Sequence, residues 1–141
     1  MSITRGSRTL LAAVSCTVAA LPLIGFAPAA DATVTSHNPF GRLDSVTVLS
    51  GHRVHLRGWA IDPDRRSQPL QIAVYHGVHG IGWFPSGMYR PDVARAFHAG
   101  PRQGFDITVT QLPGKHHMCA YAINIGPGSN TLIGCQTIVV P

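Results

Sequence analysis

Glutamate is absent from this chain, lysine occurs once (Lys115), and the six acidic residues are all aspartate. Long solvent-exposed helices draw on Glu and Lys, so a coiled coil, a helical bundle or a long amphipathic helix is excluded. Charge is sparse as well. Only 12% of residues carry it, and the formal net charge of +5 is scattered rather than gathered into a polybasic run. Without Lys/Arg clusters the chain lacks the electrostatic footprint of a nucleic-acid binder. Cysteine is limited to three residues, an odd number. Plentiful instead are Gly (15) and Pro (11), with Val and Thr, the residues of turns and strands. With 45% hydrophobic residues the chain can bury a core, and 141 residues suit one domain.

The first thirty residues read as an address. Arg5 and Arg8 precede an uncharged run from Thr9 to Ala30, and small residues close it. This is the pattern of a secretory signal peptide. Ala27-Pro28-Ala29 and Ala30-Asp31-Ala32 both suit a signal peptidase, and the proline in the first triplet favours cleavage after Ala32 over Ala29. The arginines are not adjacent, which points to the general secretory route. A retained anchor is disfavoured by Pro22, Gly25 and Pro28 and by the lack of a basic stop-transfer cluster. Lipidation of Cys16 is disfavoured because Ala13-Val14-Ser15 lacks the usual leucine. Removal of residues 1–32 leaves a secreted or envelope-associated domain, 33–141, with two cysteines, all eight histidines and no stable membrane span.

That domain reads as short strands. Val46 and Val48 share a face of Leu43–Leu49, and Val54, Leu56 and Ala60 oppose Arg53, His55 and Arg57. Further strands are expected at Leu70–Val74, Ile81–Phe84, Phe105–Val109, around His117–Ile123 and at Leu132–Val140. One short helix is expected at Pro91–Phe97, with Pro91 at its start and Asp92 at its positive end. The midpoint of Cys119 and Cys135 is Pro127, inside the turn Gly126-Pro127-Gly128-Ser129-Asn130. A symmetric antiparallel hairpin would therefore set the two cysteines opposite each other, about 4.5–5.5 Å apart at Cα, in position for a disulfide. About seven strands at roughly ten-residue spacing predict an all-β antiparallel sandwich, with a small closed barrel as the alternative. Leu112-Pro113-Gly114-x-His116 with Tyr121-Ala122-x-Asn124 resembles the penultimate-strand region of fibronectin type III modules, so the expected sandwich is immunoglobulin-like or fibronectin-III-like.

A longer set of blocks carries a second resemblance. Asn38-Pro39-Phe40-Gly41-x-Leu43-Asp44, Gly58-Trp59-Ala60-x-Asp62-Pro63-Asp64, Arg90-Pro91-Asp92-Val93 and Gly104-Phe105-Asp106 come first. Cys119-x-Tyr121-Ala122-Ile123-Asn124 and Gly126-Pro127-Gly128-Ser129-Asn130-Thr131-Leu132-x-Gly134-Cys135 complete the set. Over about residues 37–141 the chain resembles a domain that recurs in exported proteins of actinobacteria. In that family it looks like an accessory module, alone or beside cell-wall-directed catalytic domains, with no established activity of its own. The resemblance implies an exported β-domain and transfers no catalytic residue. Two positions depart from the pattern: His76 stands where an acid is usual, and Gln103 where a histidine is usual.

Candidate chemistry is thin. His52-x-x-His55, His76-x-x-His79 and His116-His117 invite a metal, but i and i+3 on a strand face opposite sides, as do neighbours. Only the turn at Gly77-Val78 brings His76 and His79 together. Asp62 and Asp64 suggest calcium, yet Arg65 and Arg66 follow and repel a cation, so an Asp-Pro turn with local ion pairing is expected. No nucleophile-elbow or phosphate-cradle motif occurs. No catalytic residue, metal or cofactor is therefore assigned; a small cell-wall hydrolase using Ser, His and Asp stays the enzymatic alternative. Among Trp59, Tyr75, Trp83, Phe84 and Tyr89, Trp59 is expected in the core and Trp83-Phe84 on a contact surface. Arg65, Arg66, Arg90, Arg95 and Arg102 fall in predicted loops. The function expected is a non-enzymatic binding module at the cell envelope, contacting an anionic or carbohydrate polymer, or another envelope protein. With eight histidines, binding to an anionic polymer would strengthen below about pH 6.

Overall fold

The computed structural model describes residues 36–141. The signal-peptide reading of residues 1–32, Cys16 included, lies outside them. Within the described residues, alternating apolar and polar residues become strands wherever turn residues interrupt them. The strands are β1 (Phe40–Leu49), β2 (Arg53–Ile61), β3 (Gln71–His76), β4 (His79–Pro85), β5 (Gly104–Thr110), β6 (Gly114–Ala122) and β7 (Thr131–Val140). The single helix among the described residues, α1 (Pro91–Phe97), starts on Pro91, carries Asp92 in its first turn and ends on His98 in the left-handed conformation. No helix among the described residues is long and apolar enough to cross a membrane.

Every strand pair is antiparallel. One sheet has the order β1-β2-β5 and the other β4-β3-β6-β7, so the architecture is a seven-stranded sandwich of two sheets and not a closed barrel. The hairpins β1–β2, β3–β4 and β6–β7 stay within a sheet, while the other connections cross between sheets. Strand β4 follows β3 through the two-residue turn Gly77-Val78, which seats it on the β3 edge.

Between the sheets lies a core of Val46, Val54, Leu56, Ile72, Val74, Phe105, Ile107, Met118, Ile133, Ile138 and Val140 with small alanines. Phe105 is fully buried and faces Gly58 across the β2–β5 pair. A Cβ on Gly58 would lie 2.5 Å from the Phe105 ring and 2.2 Å from the Arg42 carbonyl oxygen, so only glycine fits beneath that ring.

Trp59 corrects the sequence expectation. It is on the outer face of β2, because Val54, Leu56, Gly58 and Ala60 take the inner one. Helix α1 covers it: the Phe97 ring lies 4.8 Å from Trp59, and Phe40 is 6.0 Å from Trp59 and 5.4 Å from Phe97. A small aromatic cluster outside the three-stranded sheet thus docks the helix, together with the buried Val93.

Cys119 and Cys135 pair directly across β6 and β7 and are joined by a disulfide, with Cα atoms 4.1 Å apart. That is slightly closer than the spacing expected from the sequence and fits a non-hydrogen-bonded antiparallel pair.

Candidate functional site

The outer face of the four-stranded sheet carries an aromatic groove. Cross-strand register builds it: Trp83 of β4 and Tyr121 of β6 both pair with Ala73 of β3. Ala73 is buried and small, so the flanking rings stand above a low floor. Tyr75, two residues along β3 and hence on the same face, meets Tyr121 edge to face with ring centroids 5.3 Å apart. Gly77 and Val78 at one end, and Ile123 and Asn130 at the other, complete a lining of about 440 Å³. None of these groups is charged.

Trp83 is 65% exposed and, with Tyr75, also borders a second depression of about 230 Å³ lined by Gly80 and Ile81. A solvated indole over an apolar floor retains apolar surface that a ligand can cover. Asn130 is held by its own turn: its Oδ1 accepts the Asn124 N–H at 2.9 Å, which leaves its amide nitrogen as a donor for a ligand. Asn124 in turn donates to the Gly126 and Pro127 carbonyls at 2.7 and 2.8 Å, so the β6–β7 turn is internally braced.

Residues singled out from the sequence are distributed differently. Trp83 lines the groove, whereas Phe84, its neighbour on β4, turns inward and packs against the core. The alternation of a strand separates them. The five arginines lie elsewhere. Arg65 and Arg66 are in the β2–β3 loop, and Arg66 donates to the Phe97 carbonyl at 2.9 Å. Arg95 is exposed on α1, and Arg102 reaches the Gly87 carbonyl.

Arg90 is an internal tie. It donates to Asp44 at 2.9 Å and to Asp92 at 2.7 Å. The Asp44 carboxylate is available because the β1–β2 register shifts between Leu43 and Ser45, and such a bulge re-aims a side chain. The Arg90 hydrogen bonds hold the Asp92 carboxyl at a pKa of about 2 and raise that of the Arg90 guanidinium above its ordinary value.

The histidines also divide. His55 bonds to Asp106, which Arg57 also approaches at 3.3 Å, and His37 bonds to Asp64 at 2.8 Å. These contacts run to carboxylates, and among the described residues neither imidazole hydrogen-bonds a serine hydroxyl. His76 and His79 do face each other across the β3–β4 turn, and the His76 ring lies 4.6 Å from that of His116. His116 is buried and donates through Nε2 to the Leu112 carbonyl at 2.7 Å. His117, on the opposite face, is exposed.

Sequence reasoning missed three features. Tyr121 becomes a groove residue only through its register with Ala73. Asp62 is fully buried rather than an exposed turn acid, and its two oxygens accept the Asp64 and Ile125 N–H groups at 2.9 and 2.7 Å. It thereby pins the β6–β7 connection to the end of β2. Gln103 is likewise fully buried and donates to the Arg66 carbonyl at 2.8 Å. The Asp-Pro pair carried a turn signal but nothing to announce burial. No protein-family model matches the chain, and no curated protein matches it.

Proposed function

We propose that the chain is an exported, non-enzymatic binding module of the cell envelope that holds a carbohydrate polymer along the aromatic groove. The groove itself carries this reading. Trp83, Tyr75 and Tyr121 present ring faces and edges above a floor of Ala73, with an amide donor at one end and no charged group. The C–H faces of sugar rings cover aromatic surface well, and their hydroxyls take hydrogen bonds from an amide. An uncharged lining favours a neutral saccharide over a phosphate- or carboxylate-rich one. The signal-peptide reading of residues 1–32 supplies the location.

The test is co-sedimentation of the purified chain with insoluble wall polysaccharide, combined with tryptophan fluorescence. Binding that persists in high salt and is lost in Trp83→Ala supports the reading. Binding that disappears with salt and survives Trp83→Ala would move the contact to the exposed arginines, Arg65, Arg66, Arg95 and Arg102, and to an anionic polymer. A defined crosslinked partner without polymer binding would make it a protein-interaction domain. Turnover of a wall substrate would support the hydrolase instead.

A further inference from the structure

His117, Cys119 and Cys135 share the outer face of the β6–β7 hairpin. His117 is paired with Thr137 and Cys119 with Cys135 on adjacent rows of that face. One imidazole nitrogen and the two sulfur atoms all lie within 4.8 Å of one another. We propose that these three residues form a redox-gated metal site. As a disulfide the pair is a staple; once a dithiol reduces it, the two thiolates and the imidazole bind Zn2+.

The geometry supports both states. Backbone pairing extends on either side of the bridge, from Gly114↔Val140 to Ala122↔Thr131 with one register shift between Ala120 and Tyr121, so the hairpin has a ladder that does not depend on the sulfur–sulfur bond. Tetrahedral zinc with Zn–S bonds of about 2.3 Å needs its sulfurs about 3.8 Å apart, a separation reached by side-chain rotation once the bond is broken. The His117 Nδ1 lies 3.0 Å from the Thr137 hydroxyl. A hydrogen bond there orients the ring and leaves Nε2 as the ligand, the arrangement by which outer groups position a metal-binding histidine. His117 and Cys135 are exposed while Cys119 is buried beneath them, so an ion enters from the His117–Cys135 side and solvent supplies the fourth position.

The chemistry balances. A dithiol attacks the bridge, is itself oxidised to a cyclic disulfide, and leaves two protein thiols. Zn2+ then displaces the two thiol protons, so the bound ion and two thiolates are neutral together, with His117 uncharged. Two sulfur donors and one nitrogen select zinc over the oxygen-seeking Mg2+ and Ca2+. The site is independent of the carbohydrate reading.

The experiment uses the full chain carrying Cys16→Ser, which keeps the third cysteine out of the ligand set. It is reduced with a phosphine under anaerobic conditions and titrated with Co2+, a coloured probe for zinc sites. A thiolate-to-cobalt charge-transfer band should saturate at equimolar Co2+, bleach on adding Zn2+, and be absent from the oxidised chain. Thr137→Val should weaken Co2+ binding about tenfold. His117→Ala should weaken it by more, and Cys119→Ala with Cys135→Ala should remove the band. Circular dichroism follows the sheet in the same samples. A reduced chain that gives no band, folded or not, overturns the proposal. So does His117→Ala binding Co2+ as tightly as the parent.

Discussion

The carboxamide of Gln136 satisfies both backbone polar groups of Val46. Its Oε1 accepts the Val46 N–H at 3.1 Å, and its Nε2 donates to the Val46 carbonyl at 3.3 Å. Gln136 is on β7 and Val46 on β1, edge strands of different sheets. One side chain therefore stands in for the neighbouring strand that the β1 edge lacks, and it closes the sandwich along that side. This also explains a polar residue in a strand that otherwise directs Ile138 and Val140 inward. Gln136→Leu should lower stability by about 1–3 kcal/mol, the cost of leaving a part-buried N–H unpaired. Urea denaturation measures the loss, and faster hydrogen exchange at the Val46 amide assigns it to this contact.

Asp62 should be a sensitive polar position, since it is fully buried and accepts two backbone N–H groups. Asp62→Ala strips the acceptor from the Asp64 and Ile125 amides at once, at about 3 kcal/mol, and Asp62→Asn should cost about half as much because one oxygen remains. Two-dimensional NMR should show the largest shifts at Ile125 and through the β6–β7 turn.

Two glycine substitutions should separate sharply. Gly58→Ala drives a methyl group into the Phe105 ring and the Arg42 carbonyl, and should cost about 3 kcal/mol or prevent folding. A Cβ on Gly80 meets the Tyr75 ring at 3.5 Å, an ordinary contact, so Gly80→Ala should stay within about 0.5 kcal/mol. Thermal unfolding of the two variants side by side is sufficient.

The acid limb of stability should contain a contribution from Asp92. Its folded-state pKa of about 2 lies below the ordinary 3.8, first through the hydrogen bond from Arg90 and also through the Val93 N–H. Between those values the unfolded chain binds more protons than the folded one. The Asp92 contribution is thus complete above about pH 4 and is lost as pH falls toward 2. Carboxyl-carbon NMR should find the Asp92 midpoint near 2, and Arg90→Ala should return it toward 3.8.

Trp83→Ala should leave the unfolding midpoint almost unchanged, within about 0.5 kcal/mol, because the indole is mostly solvated. It should nevertheless weaken saccharide binding about tenfold, the loss of one stacking surface worth about 1.4 kcal/mol. Arg102→Ala, remote from the groove lining, should leave that binding unaltered. Isothermal titration with soluble oligosaccharides distinguishes the two variants.

Much of the fold was legible in the sequence. Strand periodicity placed β2 and β7 within a residue of their ends, turn chemistry placed α1 at Pro91–Phe97, and the midpoint at Pro127 set Cys119 against Cys135. The first two are local properties, a period of two and a proline-initiated turn of helix; the cysteine rung also needs the register shift between Ala120 and Tyr121, because the turn-side rungs Ala122↔Thr131 and Tyr121↔Leu132 alone would set Cys119 against Gly134.

The site was less legible, because periodicity says which residues share a face but not what that face will meet. Trp59 and Trp83 both sit on strands with a clear alternation. Packing by Phe97 and Phe40 covers the first, and the β3 register sets the second beside Tyr75 and Tyr121. The burial of Asp62, the Gln136–Val46 clip and the glycine under Phe105 likewise depend on residues 47 to 90 positions away in the chain, in the cases of Gly58–Phe105, Asp62–Ile125 and Val46–Gln136. Composition and spacing therefore determined a β-sandwich with one bridge. The tertiary structure decided which outward-facing side chains form one groove, because that follows from long-range register and from what packs on each sheet.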